Sequence, residues 1–184
     1  MHRAVVVRAQ QGDEEAFVAL VREVGDTCMA IAYRILRDVD LAEDAVQASI
    51  VTAWRELRAL RDPDRFEGWL YKLLVHACYT EAKRARHHRA EIIDIWPEVA
   101  FTRDDTLTVQ DRDQLERGFR RLSPEQRAIL VLHHYVGMTI SEVAERLAIP
   151  EGTAKSRLHY ASSALRAALE ADARIAEVSG ERSA

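Results

Sequence analysis

Two helix-start signals of the same kind constrain the second half of this sequence. At residues 123–126 and again at 139–142, Ser or Thr stands three positions before Gln or Glu. In this spacing, called a capping box, each of the two side chains accepts a hydrogen bond from a backbone N–H group at the start of a helix. Gly137 can end the helix between the two signals, and Pro150 closes a short turn after the second one. The order of helix, short turn and helix predicts a helix-turn-helix.

The helix predicted after Pro150 carries two different faces over residues 151–166. Helical spacing places one apolar set together on the side that packs inward: Ala154, Leu158, Ala161 and Leu165. The opposite face holds small, polar and aromatic residues: Gly152, Ser156, His159, Tyr160 and Ser163, with Lys155 and Arg157 at its edges. Such a face fits a DNA major groove, although an ordinary solvated helix shows the same pattern. DNA binding is therefore a hypothesis that needs support from elsewhere in the chain.

The composition favours an all-α fold. Ala, Leu, Arg and Glu dominate the 184 residues, and these are good helix formers. Four prolines and seven glycines are too few for a sandwich or a barrel with many turns. An apolar fraction of 48% is enough for one ordinary core or two small ones.

The first half of the sequence predicts four helices separated by breaks. Gly25 followed by Asp26 predicts the first break. Residues 61–64 contain Pro63, which lacks a backbone donor and restricts the residue before it, so they predict a later break. The predicted helices cover about residues 14–24, 27–37, 41–60 and 66–89, and the last ends in the basic run KRARHHR.

Charge is distributed unevenly along the chain. The net charge is −4, but residues 71–90 carry five basic and one acidic side chains, and residues 91–113 carry two basic and seven acidic ones. DNA attracts the first segment and repels the second. We therefore expect a first domain at 1–90, an acidic linker at 91–112 and a second domain at 113–184. Because the linker also contains large apolar residues, we expect it to lie against a partner.

Several classes of protein are disfavoured. Cys28 and Cys78 form no C-x-x-C pair, so we expect buried reduced thiols. The histidine pairs at 87–88 and 133–134 lack metalloenzyme spacing such as H-E-x-x-H, so we expect no metal, no cofactor and no enzymatic activity. No apolar run is long enough for a signal peptide or a membrane span. The sequence therefore predicts a cytoplasmic protein without membrane insertion.

Both halves of the chain resemble one family. The segments EDAVQASIVTAWREL (43–57) and FEGWLYKLLVHACYTEAKRAR (66–86) resemble region 2 of bacterial RNA polymerase sigma factors, and LSPEQRAILVLHHYVGMTISEVAERLAIPEGTAKSRLHYASSALRAAL (122–169) resembles region 4. Two such modules without an intervening domain are typical of the extracytoplasmic-function (ECF) group. The resemblance implies promoter recognition, DNA strand opening and transcription initiation. The alternative, a stand-alone helix-turn-helix transcriptional regulator, leaves the aromatic and basic pattern of residues 66–86 unexplained.

The resemblance also implies partners. Core RNA polymerase would be bound through the clamp helices of its largest subunit and the flap of its second subunit, and promoter DNA would be the other partner. An anti-sigma factor is a further partner that is common in the family. The residues expected to face the clamp helices form a polar stripe with one apolar member: Asp44, Gln47, Val51 and Arg55.

The DNA contacts implied by the resemblance fall in both modules. At the single-stranded −10 element, aromatic rings and cations suit extruded bases and their backbone. The residues expected there are Leu60, Arg61, Lys72, His76, Tyr79, Lys83 and Arg84. The residues expected at the −35 element are Lys155, Ser156, Arg157, His159, Tyr160, Thr153 and His133.

Several positions depart from the common family pattern, among them Ala48, Ile50 and Thr80. His76 stands where Asn is frequent, Tyr160 stands where Arg is usual, and Ala148 replaces a turn glycine. Because His76 and Tyr160 lie on the expected reading surfaces, we expect a promoter sequence that differs from that of familiar members.

Overall fold

The computed structural model describes residues 2–89 and 109–181, with side chains described for 3–86 and 114–171. Within these ranges the chain is helical and contains no strand, which confirms the all-α prediction. The expected linker lies almost wholly outside the described residues. The described chain forms two compact units, the first with residues 2–89 and 145–149 and the second with 109–144 and 150–181. The expected domain limits stay predictions.

Four helices build the first unit. They are α1 (His2–Gln10), α2 (Glu14–Leu36), α3 (Val39–Glu56) and α4 (Phe66–Arg89), with 3-10 turns at Leu57–Ala59 and Pro63–Arg65. Asp13 and Asp38 cap α2 and α3, because each carboxylate accepts a hydrogen bond of 3.0 Å from the backbone N–H three residues on. The core consists of large apolar side chains with at most 1% exposure, chiefly Leu20, Ile31, Ile35, Leu70 and Leu74.

The predicted break at Gly25 is wrong, because α2 runs unbroken from Glu14 to Leu36. Leu20, Val24, Cys28 and Ile31 follow the helical period across this point, and all are buried. A helical glycine costs only about 1 kcal/mol, whereas burial of each large apolar side chain contributes about 1.5–3 kcal/mol. Burial of the neighbouring side chains therefore outweighs the cost of the glycine, and the helix continues past it. Sequence analysis also missed α1, which precedes Asp13.

Four helices also build the second unit. They are α5 (Val109–Arg120), α6 (Pro124–Leu130), α7 (Ile140–Leu147), whose last three residues group with the first unit, and α8 (Glu151–Glu181). Both predicted capping boxes are present. The Ser123 hydroxyl accepts from the Gln126 N–H at 3.2 Å while the Gln126 side chain accepts from the Ser123 N–H at 2.9 Å. Glu142 accepts from the Thr139 N–H at 2.8 Å in the same way.

Three backbone features lie before or within the helix-turn-helix. A π-helical turn, Val131–Tyr135, extends α6, and Gly137 follows it with φ of +80° as the predicted helix end. Ala148, between α7 and α8, has φ of +52°, the left-handed region that disfavours a Cβ atom. The residue that replaces the family's usual turn glycine is therefore held in a glycine-like conformation.

We predict that Ala148→Gly stabilises the chain. The substitution removes the left-handed Cβ penalty of about 1–2 kcal/mol but adds freedom to the unfolded chain, so we expect a net gain of about 0.5–1 kcal/mol. Equilibrium urea unfolding followed by circular dichroism would measure it. Ala167→Gly, at an exposed position inside α8, is the matched control and should destabilise by about 1 kcal/mol. A lower urea midpoint for Ala148→Gly would contradict the prediction.

Both cysteines are free thiols inside the first unit, as predicted. Cys28 is 1% exposed and Cys78 is not exposed. Burial is the main cause that raises the pKa of each thiol from 9.0 to about 12, and neighbouring negative charge contributes to the same rise, from Glu67 for Cys28 and from Cys28 and Glu81 for Cys78. A raised pKa means that the folded chain holds these protons more tightly than the unfolded chain.

The thiols should therefore be inert in the folded protein. The reactive species is the thiolate, and a pKa of about 12 instead of 9.0 lowers its fraction about a thousandfold at pH 8. We expect iodoacetamide to modify both cysteines only after unfolding, as followed by mass spectrometry. Their contribution to stability is complete below about pH 9 and is lost as pH rises toward 12. Rapid alkylation of the folded protein at pH 8 would contradict this prediction.

Candidate polymerase and nucleic-acid interfaces

The outer face of α3 carries the stripe that was expected to meet the polymerase. All four members, Asp44, Gln47, Val51 and Arg55, are exposed, and Val51 keeps 44% of its surface in solvent. The stripe extends about 16 Å, at 1.5 Å per residue. On the opposite face Ala42, Ala45, Ser49 and Ala53 are buried. The polar stripe with an apolar centre therefore exists as predicted, whereas its binding partner stays a prediction.

Sequence reasoning missed an apolar extension of this stripe. Trp54, on the same helix, is 39% exposed. The Trp54 ring packs against that of Phe17, with centroids 4.9 Å apart and planes tilted by 54°. A surface cavity of about 270 Å³ lies beside it, lined by Ala9, Gly12, Trp54, Arg55, Leu57 and Arg58. The signal in the sequence was the position of Trp54, three residues after Val51 on the same helical face.

The outer face of α4 brings together most of the residues expected at the −10 element. Lys72, His76, Tyr79 and Lys83 recur at helical spacing and lie on one side of the helix. His76 and Lys83 are exposed, and Lys72 and Tyr79 are half-buried. The other side of α4 supplies core residues, including Leu70, Leu74 and Cys78. The ring and the cations on this face have the chemistry that extruded bases and phosphates require.

Phe66 and Arg84, which lie near this face, already make contacts within the first unit. Phe66 is 2% exposed and belongs to the core, with Trp69 at a centroid distance of 6.2 Å. Arg84, expected at the −10 element, donates a hydrogen bond of 2.7 Å to Glu81, whose side chain is 9% exposed. The Arg84 charge is therefore partly balanced within its own helix.

The first turns of α8 present the residues expected at the −35 element. Lys155, Ser156, Arg157, His159 and Tyr160 are all exposed, and Tyr160 keeps 69% of its surface in solvent. Ala154 and Ala161 on the inner face are buried. The His159 and Tyr160 rings lie 5.8 Å apart, edge to face. The Ser156 hydroxyl donates 3.0 Å to the carbonyl of half-buried Thr153. The two predicted faces of this helix are confirmed.

An acidic residue shares this surface. Glu151 accepts a hydrogen bond of 2.9 Å from Lys155, one turn further along α8. That hydrogen bond, and the Lys155 charge, lower the pKa of Glu151. The carboxylate is therefore ionised at neutral pH. It suits the positive end of the helix dipole, but it opposes a DNA phosphate at the same place.

His133 lies in the π-helical turn and is held by the backbone. Its Nδ1 atom is 2.7 Å from the carbonyl oxygen of Met138, so this nitrogen carries the proton and donates. The ring is half-buried and contacts the His134 ring at a centroid distance of 4.7 Å. Only Nε2 is left for a DNA contact, and Nδ1 stabilises the turn before α7.

Comparison with known proteins identifies the family. Residues 20–88 match the family model for sigma-70 region 2, and residues 112–165 match the one for sigma-70 region 4. The ECF RNA polymerase sigma factor SigL of Mycobacterium tuberculosis is 32% identical over 167 residues, which cover 86% of this chain and 94% of SigL. The chain belongs to the ECF family of RNA polymerase sigma factors. This ECF sigma factor thus binds core polymerase and promoter DNA and directs transcription initiation.

Other relatives agree with this assignment. SigM of Mycobacterium tuberculosis is 32% identical to this ECF sigma factor over 155 residues, which cover 84% of the chain and 77% of SigM. A solved structure of CnrH, in complex with the cytosolic domain of CnrY, is similar with a TM-score of 0.65 and 25% identity, covering 93% of this chain and 98% of that one. The stand-alone regulator is not favoured, because the region 2 match at residues 20–88 includes residues 66–86, which this alternative leaves unexplained.

The described part of this ECF sigma factor contains neither a metal-binding cluster nor a membrane-spanning helix. Among the residues whose side chains the structure describes, no group of three or more His, Cys, Asp and Glu side chains is arranged to hold a metal ion. Within the described ranges no helix has the length and apolar character of a membrane span.

Proposed function

We propose that three exposed faces divide the work of this sigma factor. The α3 stripe docks on the clamp helices of the largest polymerase subunit, and the second unit contacts the flap of the second subunit. The outer face of α4, with Leu60 and Arg61, receives the single-stranded −10 element. The start of α8 reads the −35 duplex. The observation that carries the proposal is that α4 and α8 both bury small or apolar faces and expose rings together with cations.

The chemistry of the α3 face suits a protein partner. Protein interfaces combine apolar and aromatic anchors with a polar rim, and Val51 and Trp54 are exposed beside Gln47 and Arg55. The solved CnrH and RpoE structures contain CnrY and the anti-sigma factor NepR, respectively. We propose that an anti-sigma factor of this chain competes with the polymerase for the α3 face.

The chemistry of α4 suits single-stranded DNA. Stacking of a base on an aromatic side chain contributes about 1–3 kcal/mol and tolerates any base. Tyr79 offers its ring between His76 and Lys83 on one face of the helix. Lys72 and Lys83, on the same face of the helix, can bind the phosphates that flank an extruded base. This arrangement stabilises the open strand once the polymerase has separated the duplex.

The −35 face should bind duplex DNA weakly in the absence of polymerase. Affinity for DNA depends largely on the number of phosphates that are neutralised. Only Lys155 and Arg157 supply full positive charge at the start of α8, and Glu151 opposes them. Core polymerase holds both DNA-binding units at a fixed spacing, so each weak contact acts at high effective concentration. The catalytic chemistry belongs to the polymerase, and the sigma factor acts where the polymerase does, in the cytoplasm.

Fluorescence anisotropy of a labelled promoter library would test this function. The library would be mixed with the sigma factor alone, with core polymerase alone and with both. We expect tight, sequence-selective binding and strand opening only when both proteins are present. Tight duplex binding by the sigma factor alone, with no gain from core polymerase, would instead favour the stand-alone regulator.

Neutralising Glu151 should strengthen the −35 contact. Glu151→Gln removes a negative charge from the DNA-facing turn and releases the Lys155 ammonium from its ion pair. We expect roughly threefold to tenfold tighter binding of the holoenzyme to a −35 duplex, with a steeper dependence on salt, because about one more phosphate is neutralised. Anisotropy at several salt concentrations measures both quantities.

Glu170→Gln is the matched control for this experiment. It removes the same charge from the same helix, about 28 Å further along at 1.5 Å per residue, beyond the Debye length of ~8 Å at physiological salt. We expect no change in −35 affinity for this variant. Equal effects of the two substitutions would show that Glu151 acts through net charge alone.

A further inference from the structure

The short helix α1 contacts the −10 loop, which is residues 57–65, at two points. At one end of the helix, the Gln10 amide Nε2 donates hydrogen bonds to the carbonyl oxygens of Leu57, at 3.0 Å, and Leu60, at 2.7 Å. At the other end, Arg3 donates to Asp64 at 2.6 Å and lies 3.8 Å from Asp62. In the sequence, the contacted loop residues stand both before and after Arg61, whose side chain is exposed.

One face of α1 makes all of these contacts. Arg3 and Gln10 are seven residues apart, which is about two helical turns or 10 Å. Between them Val6 is not exposed and Ala9 is 3% exposed. A helix of nine residues is marginal in isolation, so its packing on the first unit holds it in place. Once packed, the helix can hold the loop.

The two anchors differ in strength. The Arg3 pairs are formed by side chains that are 51–61% exposed, and exposed ion pairs contribute little. The Gln10 bonds are part-buried and reach backbone carbonyls where α3 and its 3-10 turn end. A helix leaves its last carbonyls without helical partners, and the Leu57 carbonyl accepts a hydrogen bond of 3.1 Å from the Leu60 N–H beside the one from Gln10. Gln10 is therefore the stronger anchor of the loop.

We infer that Gln10 is a positioning residue for −10 recognition. By fixing the carbonyls of Leu57 and Leu60, it holds the Leu60 and Arg61 backbone in one conformation before DNA arrives. A loop that is already ordered loses less conformational entropy on binding. This inference rests on the proposed role of the loop at the −10 element.

Two substitutions remove the donor in different ways. Gln10→Glu keeps the shape of the side chain but places a carboxylate against the two carbonyls. Gln10→Met keeps the length of the side chain and removes the donor without adding a charge. We expect each variant, assembled with core polymerase, to bind a labelled single-stranded −10 oligonucleotide from the selected promoter about fivefold to tenfold more weakly, as for the loss of one or two hydrogen bonds. Binding to core polymerase and to a −35 duplex should stay within about twofold, since the loss is confined to the loop. Gln11→Glu, at the adjacent exposed position, is the matched control and should change none of the three affinities.

Arg61→Ala separates this inference from the proposed function. If Arg61→Ala weakens −10 binding but both Gln10 variants leave it unchanged, the positioning role is wrong. If Arg61→Ala also leaves it unchanged, the loop does not read the −10 element, and both proposals fail together. If the Gln10 variants weaken all three affinities equally and lower the melting temperature, Gln10 only supports the fold. Selective loss at the −10 oligonucleotide with an unchanged melting temperature supports the inference.

Discussion

The close packing of small side chains on α3 is the constraint on which the first unit depends. The buried face of this helix consists of Ala42, Ala45, Ser49 and Ala53. Helix axes can approach more closely when the residues between them are small, so the large residues that fill the core come from α2 and α4. Ser49 fits because its hydroxyl donates a 2.7 Å bond to the Val46 carbonyl within the helix. This arrangement fixes which faces of α3 and α4 point to solvent, and those are the faces proposed to bind polymerase and DNA.

The second unit also packs its helices through a face of small residues. The inner face of α8 contains alanines at intervals of seven, Ala154, Ala161 and Ala168, and all are buried. On α5, a Cβ atom at Gly118 would lie 3.0 Å from Leu165 and Leu169, so the two helices meet through a residue without a side chain. In each unit one helix, α3 or α8, buries a face of small residues and exposes polar and charged side chains on the opposite face. Recognition side chains can therefore differ without disturbing the core.

Sequence analysis succeeded where local rules decide the structure. The capping boxes at Ser123 and Thr139 and the two faces of α8 depend on residues within a few positions of each other. It failed where packing between distant segments decides. Gly25 is helical because its neighbours are buried, and α1 is held by the packing of Val6 and Ala9 on the first unit. The ion pairs of Glu151 and Glu81 and the Nδ1 bond of His133 were also missed, because spacing alone does not fix side-chain rotamers.

The distribution of ion pairs explains how an acidic chain can serve as a DNA-binding subunit. Lys155 is paired with Glu151 and Arg84 with Glu81, so a cation on each proposed DNA face is partly balanced by an acid on its own helix. Binding a phosphate must then compete with an existing pair, which lowers affinity for any DNA sequence equally. A genome offers an immense excess of non-specific sites, and a strongly basic subunit would be sequestered on them. The proposed DNA faces bind weakly by themselves and act together only when the polymerase holds them. Sequence-dependent contacts therefore determine where the holoenzyme binds.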